Sequence, residues 1–159
     1  MKTQKYVIVI PLERLAVGYE FSPENYPLHI TIVPSFQLKD FSKELLNKIE
    51  LLCSQTSRFE MIAGSDEYFG SDNSILVTEM LMNDKIRDLH NKLVKLVSDA
   101  GAIFDEPEYT QTKYRAHSTV QAHNRLTAGD TIIIDEIAII DKLPNGSANK
   151  RRVIHKIKI

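Results

Sequence analysis

Apolar residues along this chain recur with two periods, and the switches between them mark out the elements. KYVIVIP (5–11) and LHITIVP (28–34) are short, β-branched runs closed by proline, which predicts two buried strands. The stretch between them, LAVGYEFSPENYP, is punctuated by Gly18, Pro23 and Pro27 and predicts a loop. From about Leu38 to Thr56 the apolar positions Phe41, Leu45, Ile49, Leu52 and Cys53 follow helical spacing, with Asp40 and Ser42 placed to cap the helix. RFEMIAG (58–64) and SILVTEM (74–80) predict two more strands, joined by a turn-rich loop holding Gly64, Gly70, Asp72 and Asn73. A second helix is expected from about Asp84 to Ala100, striped by Ile86, Leu89, Leu93, Leu96, Val97 and Ala100 and stopped by Gly101. AHSTVQA (116–122), TIIIDEIAII (131–140) and RRVIHKIKI (151–159) return to extended structure, and Val153, His155, Ile157 and Ile159 are expected on one face. About seven strands and two long helices, without regular alternation, give an α+β fold. The length suits one domain, 1–159, built around one core.

Two of these strands carry polar residues where the pattern asks for apolar ones. His29 is followed at two positions by Thr31, and His117 at two positions by Thr119. In a strand, residues i and i+2 share a face, so each pair presents an imidazole beside a hydroxyl while Ile30 and Ile32, or Ser118 and Val120, turn away. Such groups buried without purpose cost stability. One His-x-Thr is a weak signal and reads as structural; two, on strands flanking a helix-and-strands unit, predict function. Two similar lobes facing each other would bring the pairs together across one phosphate. One neutral imidazole would then take a proton from water or a ribose hydroxyl, and the other, charged, would protonate the departing oxygen. Thr31 and Thr119 would donate to the non-bridging phosphoryl oxygens.

Charge narrows the partner. With 20 basic and 21 acidic residues the formal net charge is −1, which lacks the general attraction long nucleic acids demand. A small nucleotide, a short oligonucleotide or an RNA terminus is the expected ligand. Lys150, Arg151 and Arg152 form the densest basic run and read as a solvated hairpin tip. Arg115 and Lys113 alternate toward the His117 face and are candidate phosphate contacts, with plain surface charge as the alternative. Tyr26, Phe36, Phe69 and Tyr114 lie near the motifs or in loops. Tyr26 and Phe69 are the candidate base platforms, although packing accounts for each one singly. His90 reads as a surface residue of the second helix, and His155 as a half-buried strand residue. His117 and His123 stand about 20 Å apart along an extended strand, too far to share an ion. No metal site and no cofactor are expected, since HExxH, CxxC, P-loop and GxGxxG patterns are missing. The single cysteine, Cys53, reads as buried filler and fits a reducing compartment. With no apolar run long enough to span a bilayer, the expectation is a cytoplasmic monomer with no membrane partner.

HITI (29–32) and HSTV (117–120) resemble the twin signature motifs of the two-histidine (2H) phosphoesterase superfamily, which includes 2′-5′ RNA ligase-like proteins and cyclic phosphodiesterases. Pro27 before the first motif and EYFGSDNSILVTE between the two agree with that likeness. The resemblance implies a bilobal, pseudo-two-fold arrangement of antiparallel sheets, with the two helices outside and a central cleft. It implies metal-independent phosphodiesterase chemistry on a 2′,3′-cyclic phosphate, a 2′-5′ phosphodiester or a cyclic nucleotide, with His29, Thr31, His117 and Thr119 as the catalytic set. A non-catalytic nucleotide-binding module and an RNA ligase use the same cleft and stay open as alternatives. One departure concerns the substrate. The basic residue that many members carry after the second motif is replaced by Gln121, Ala122 and His123, which leaves Arg115 to supply the charge.

Overall fold

The structure, a computed structural model, describes residues 3–159. Ten strands and two helices follow in the order β1 (Gln4–Pro11), β2 (Glu20–Phe21), β3 (His29–Leu38), α1 (Lys43–Ser54), β4 (Phe59–Phe69), β5 (Ile75–Met80), α2 (Asp84–Asp99), β6 (Ile103–Phe104), β7 (His117–Thr119), β8 (Thr131–Ile134), β9 (Glu136–Asp141) and β10 (Arg151–Lys158). They form two antiparallel sheets, a six-stranded one in the order β2-β10-β9-β1-β3-β6 and a four-stranded one in the order β7-β5-β4-β8. The fold is α+β, as the periodicity predicts.

Alternation along β1 and β3 decides where the core lies. Ile8, Ile10, Ile30 and Ile32 face the helices and meet Leu45, Ile49 and Cys53 of α1 and Ile86, Leu89, Leu93 and Val97 of α2. The opposite face of the large sheet carries Val7, Val9, Ala138, Ile140 and Val153, roofed by Leu15, Phe21 and Tyr26 from the segment after β1. His29 and Thr31 share this second face, away from the helices. Both helices are capped by side-chain oxygens: Leu45 N–H donates to Ser42 at 3.1 Å, and Ile86 N–H to Asn83 at 2.9 Å. Gly101 follows α2 at φ +96°, the left-handed turn that ends helices on glycine.

Several boundaries differ from the periodic reading, each for a local reason. The first helix begins at Lys43 rather than Leu38, because β3 runs on through Pro34 to Leu38. Pro34 fits there because the β1–β3 register slips between Tyr6 and Ile8, so its missing N–H breaks no regular ladder. Gly64 lies inside β4 rather than in a turn: a Cβ there would come within 2.8 Å of the Glu79 carbonyl oxygen, so the two strands approach closely only over glycine. TIIIDEIAII is two strands, with Asp135 passing the chain from β8 in the small sheet to β9 in the large one. In β10 a register shift between Val153 and His155 puts Val153 in the second cluster and Ile157 in the main one, so these positions do not share a face.

Within the basic run Lys150 is exposed, as expected, whereas Arg151 and Arg152 are anchored. The Arg152 fork grips Glu20 at 2.8 and 2.6 Å, and Arg151 Nη1 donates to the carbonyls of Lys142, Ala148 and Lys150. No helix among the described residues is long and apolar enough to cross a membrane.

Candidate active site

The two motif strands come from different sheets and lie beside each other, β3 from the large sheet against β7 from the small one. Each histidine is held in the same way. His29 Nδ1 is 2.8 Å from the carbonyl of Pro27, and His117 Nδ1 is 2.8 Å from the carbonyl of Arg115, two residues upstream in both cases. A carbonyl only accepts, so Nδ1 carries the proton in each neutral ring and Nε2 is left unprotonated. An aromatic ring backs each imidazole: Tyr26 lies 4.3 Å from His29, and Phe69 lies 4.6 Å from His117, centroid to centroid. Thr31 and Thr119 are half-buried on the same strand faces as their histidines, and Ile30 and Ser118 are buried behind.

The electrostatics of the two rings differ. Burial pushes the His29 pKa down from 6.5 to about 4, opposed by the Pro27 carbonyl; the charge of His117 lowers it further and that of Glu13 raises it. The His29 ring thus lies within reach of the His117 charge. His117 is also lowered, chiefly by burial, but here the Arg115 carbonyl and the Glu79 carboxylate favour the charged ring, while the Arg115 guanidinium disfavours it. Glu79 pairs directly with His117 across the β5–β7 ladder. Tyr26, pushed up to about 12 chiefly by burial, stays a neutral phenol.

The other expected site residues fall out unevenly. Arg115 lies over the Phe69 ring at 4.7 Å and forms an ion pair with Glu79, so it stands beside His117. Lys113 does not alternate onto that face: it ends a one-turn helix, 111–113, outside β7. Phe36 is wholly buried in the main core. Tyr114 is buried too, and its hydroxyl donates to the Thr31 carbonyl at 2.8 Å. His90 is not a surface residue. It is fully buried, and the amphipathic spacing of α2 does not show this because its partner is a backbone carbonyl of β3.

Two carboxylates of the site are absent from the sequence reading. Glu79 sits in SILVTEM, where a lone acidic residue in an apolar strand is the available signal. Glu13, in the segment after β1, has none. Its carboxylate accepts from Leu28 N–H at 2.7 Å, lies 2.7 Å from His123 Nε2, and accepts from Asn124 at 3.1 Å, which ties that segment to the stretch after β7. These hydrogen bonds outweigh partial burial and hold the Glu13 carboxyl below the usual range. Among the described residues, no group of three His, Cys, Asp or Glu side chains is arranged to hold a metal ion.

Residues 10–146 match the family described as the 2′-5′ RNA ligase superfamily. The fold is similar to that of Escherichia coli LigT complexed with 3′-AMP, at 12% identity over 99% of each chain and a TM-score of 0.60. It is also similar to a protein of Thermus thermophilus (13% identity, 97% of each chain, TM-score 0.57) and to a structure described as a phosphoesterase (14%, 99% of each chain, 0.57). A search of curated proteins by sequence finds no match.

Proposed function

The chain belongs to the 2′-5′ RNA ligase superfamily, and from that premise we propose that it is a metal-independent phosphodiesterase acting on a 2′,3′-cyclic phosphate or 2′-5′ phosphodiester of a small nucleotide or RNA end. The observation that carries this reading is the matched tethering of His29 and His117 through Nδ1, which leaves two Nε2 atoms for proton transfer. Solved structures of LigT hold 3′-AMP, NADP+ and ATP, which favours a nucleotide of that size here.

The environments of the two rings support one division of roles. His29, kept neutral by burial, takes the proton from the attacking water as its oxygen bonds to phosphorus. His117, whose imidazolium is favoured by Glu79, gives a proton to the ribose oxygen as the P–O bond breaks. One water is consumed, and the histidines end with their protons exchanged until solvent resets them. Each transfer contributes about 100- to 10,000-fold. Thr31, Thr119 and Arg115 meet the phosphoryl charge, and Tyr26 or Phe69 offers the base a ring face.

The test is a panel of 2′,3′-cyclic mononucleotides, cyclic dinucleotides and 2′-5′-linked oligonucleotides, incubated with EDTA and scored for the position of the phosphate in the product. Turnover of one class to a single monoester isomer is expected. Activity that EDTA abolishes, or tight binding with no product, would overturn the reading, the latter in favour of a binding module.

A further inference from the structure

His90 and Tyr114 are both buried and lie off the face that carries the histidine pair, yet they connect the strands on which that pair stands. The His90 ring uses both nitrogens. Nδ1–H donates to the carbonyl of Ile32 at 2.6 Å, and Nε2 accepts the N–H of Gln111 at 2.9 Å. This pattern requires a neutral ring, and burial keeps the His90 pKa below its usual value. Tyr114 stacks flat on the same ring, 3.9 Å between centroids and 5° between planes, and its hydroxyl donates to the Thr31 carbonyl. Carbonyls of two consecutive residues of the first motif strand are thereby tied to residues 111–114, the segment that leads into Arg115 and His117. Gln111 holds φ +60°, a left-handed conformation that strains a non-glycine residue, and in that conformation its N–H reaches His90.

We infer that the stacked His90–Tyr114 pair is a positioning unit that sets the separation of His29 and His117, and so the rate of the proposed reaction, without touching the substrate. The kinetic part rests on the two-histidine reading above; the geometric part does not.

The test compares Tyr114→Phe, His90→Gln and His90→Ala with the parent, by two measurements. The first is kcat and KM on the substrate the panel identifies. Tyr114→Phe keeps the stack and loses the Thr31 bond, so kcat should fall about ten- to a hundredfold with KM nearly unchanged. His90→Gln can still donate from its amide and accept at its carbonyl, and should stay near the parent, whereas His90→Ala should not. The second is the NMR titration of the His29 ring with and without His117→Gln. Removing the His117 charge raises the His29 midpoint in the parent and in His90→Gln, and raises it less in Tyr114→Phe and His90→Ala. An equal rise in all four backgrounds, or an unchanged kcat in Tyr114→Phe, would overturn the inference. If His29→Ala proved fully active, the two-histidine reading would fall and the titration would still decide the positioning claim.

Discussion

The first His-x-Thr segment opens a ten-residue strand inside a six-stranded sheet, whereas the second fills the whole of a three-residue strand at the edge of a four-stranded one. The residue between His and Thr is Ile30 in one and Ser118 in the other. Ile30 is packed among the helices, while the Ser118 hydroxyl is buried with no hydrogen-bond partner among the described residues. Each imidazole is tied to a carbonyl two residues upstream, but the acidic companions differ: Glu13 is drawn off by Leu28, His123 and Asn124, whereas Glu79 lies across the ladder from His117. One motif thus yields two rings of different proton affinity, and the difference comes from the surroundings. On the roles proposed above, an acid and a base would be made from the same side chain by unequal desolvation and unequal neighbouring charge.

That asymmetry breaks most sharply in the histidine variants. His29→Ala and His117→Ala should each lower kcat about 100- to 10,000-fold with unchanged circular dichroism. With a phosphodiester whose leaving group is a stable phenolate, needing no protonation, His117→Ala should recover most of its loss and His29→Ala none. Equal recovery in both would erase the assignment of base and acid.

A smaller effect lies in the pH dependence of kcat/KM, which reports the free enzyme. On the proposed roles, activity needs His29 neutral and His117 charged. It should fall on the acid side near pH 4, where His29 protonates, and on the alkaline side below 6.5, where His117 loses its proton. Glu79→Gln removes a charge that favours the imidazolium, so the alkaline limb should move to lower pH. Arg115→Ala removes one that opposes it, so that limb should move higher. The acid limb should stay in place in both variants, and movement of the wrong limb would reverse the roles. The smallest effect belongs to Ser118→Ala. Deleting an unpartnered buried hydroxyl should leave unfolding free energy in urea unchanged or raise it by about 1 kcal/mol, and a clear loss would show that the hydroxyl has a partner.

Much of this is legible in the sequence, and the failures have physical causes. Period-two and period-3.6 patterns locate both helices and the long strands, because burial of Ile30, Ile32, Leu45 or Leu93 leaves a periodic mark. The His-x-Thr pairs stand out as polar positions on apolar strands; Tyr26 and Arg115 lie close to them in sequence, and Phe69 is suspected only as an aromatic in the stretch between the motifs. Two-residue strands such as β2 and β6 are too short to alternate, and the bulges at Pro34, Gly64 and Val153 break alternation inside longer ones. Lys113 is misplaced by the periodic reading because a single helical turn ahead of β7 interrupts the extended chain. His90 is misread because its partner, the carbonyl of Ile32, is 58 positions away and carries no residue identity. Glu13 and His123, 110 positions apart, meet only in three dimensions.

Asp135 alone separates β8 from β9, and so one residue carries the chain from the small sheet to the large one. A single residue spans at most about 3.5 Å, which leaves the halves no slack to swing apart at that corner. Its carbonyl is also taken, by the N–H of Ile159 at 2.8 Å. The two sheets are therefore stitched together at that corner and cannot slide past each other there, so the spacing of the strands they contribute to the candidate site is fixed from one end by a single peptide link.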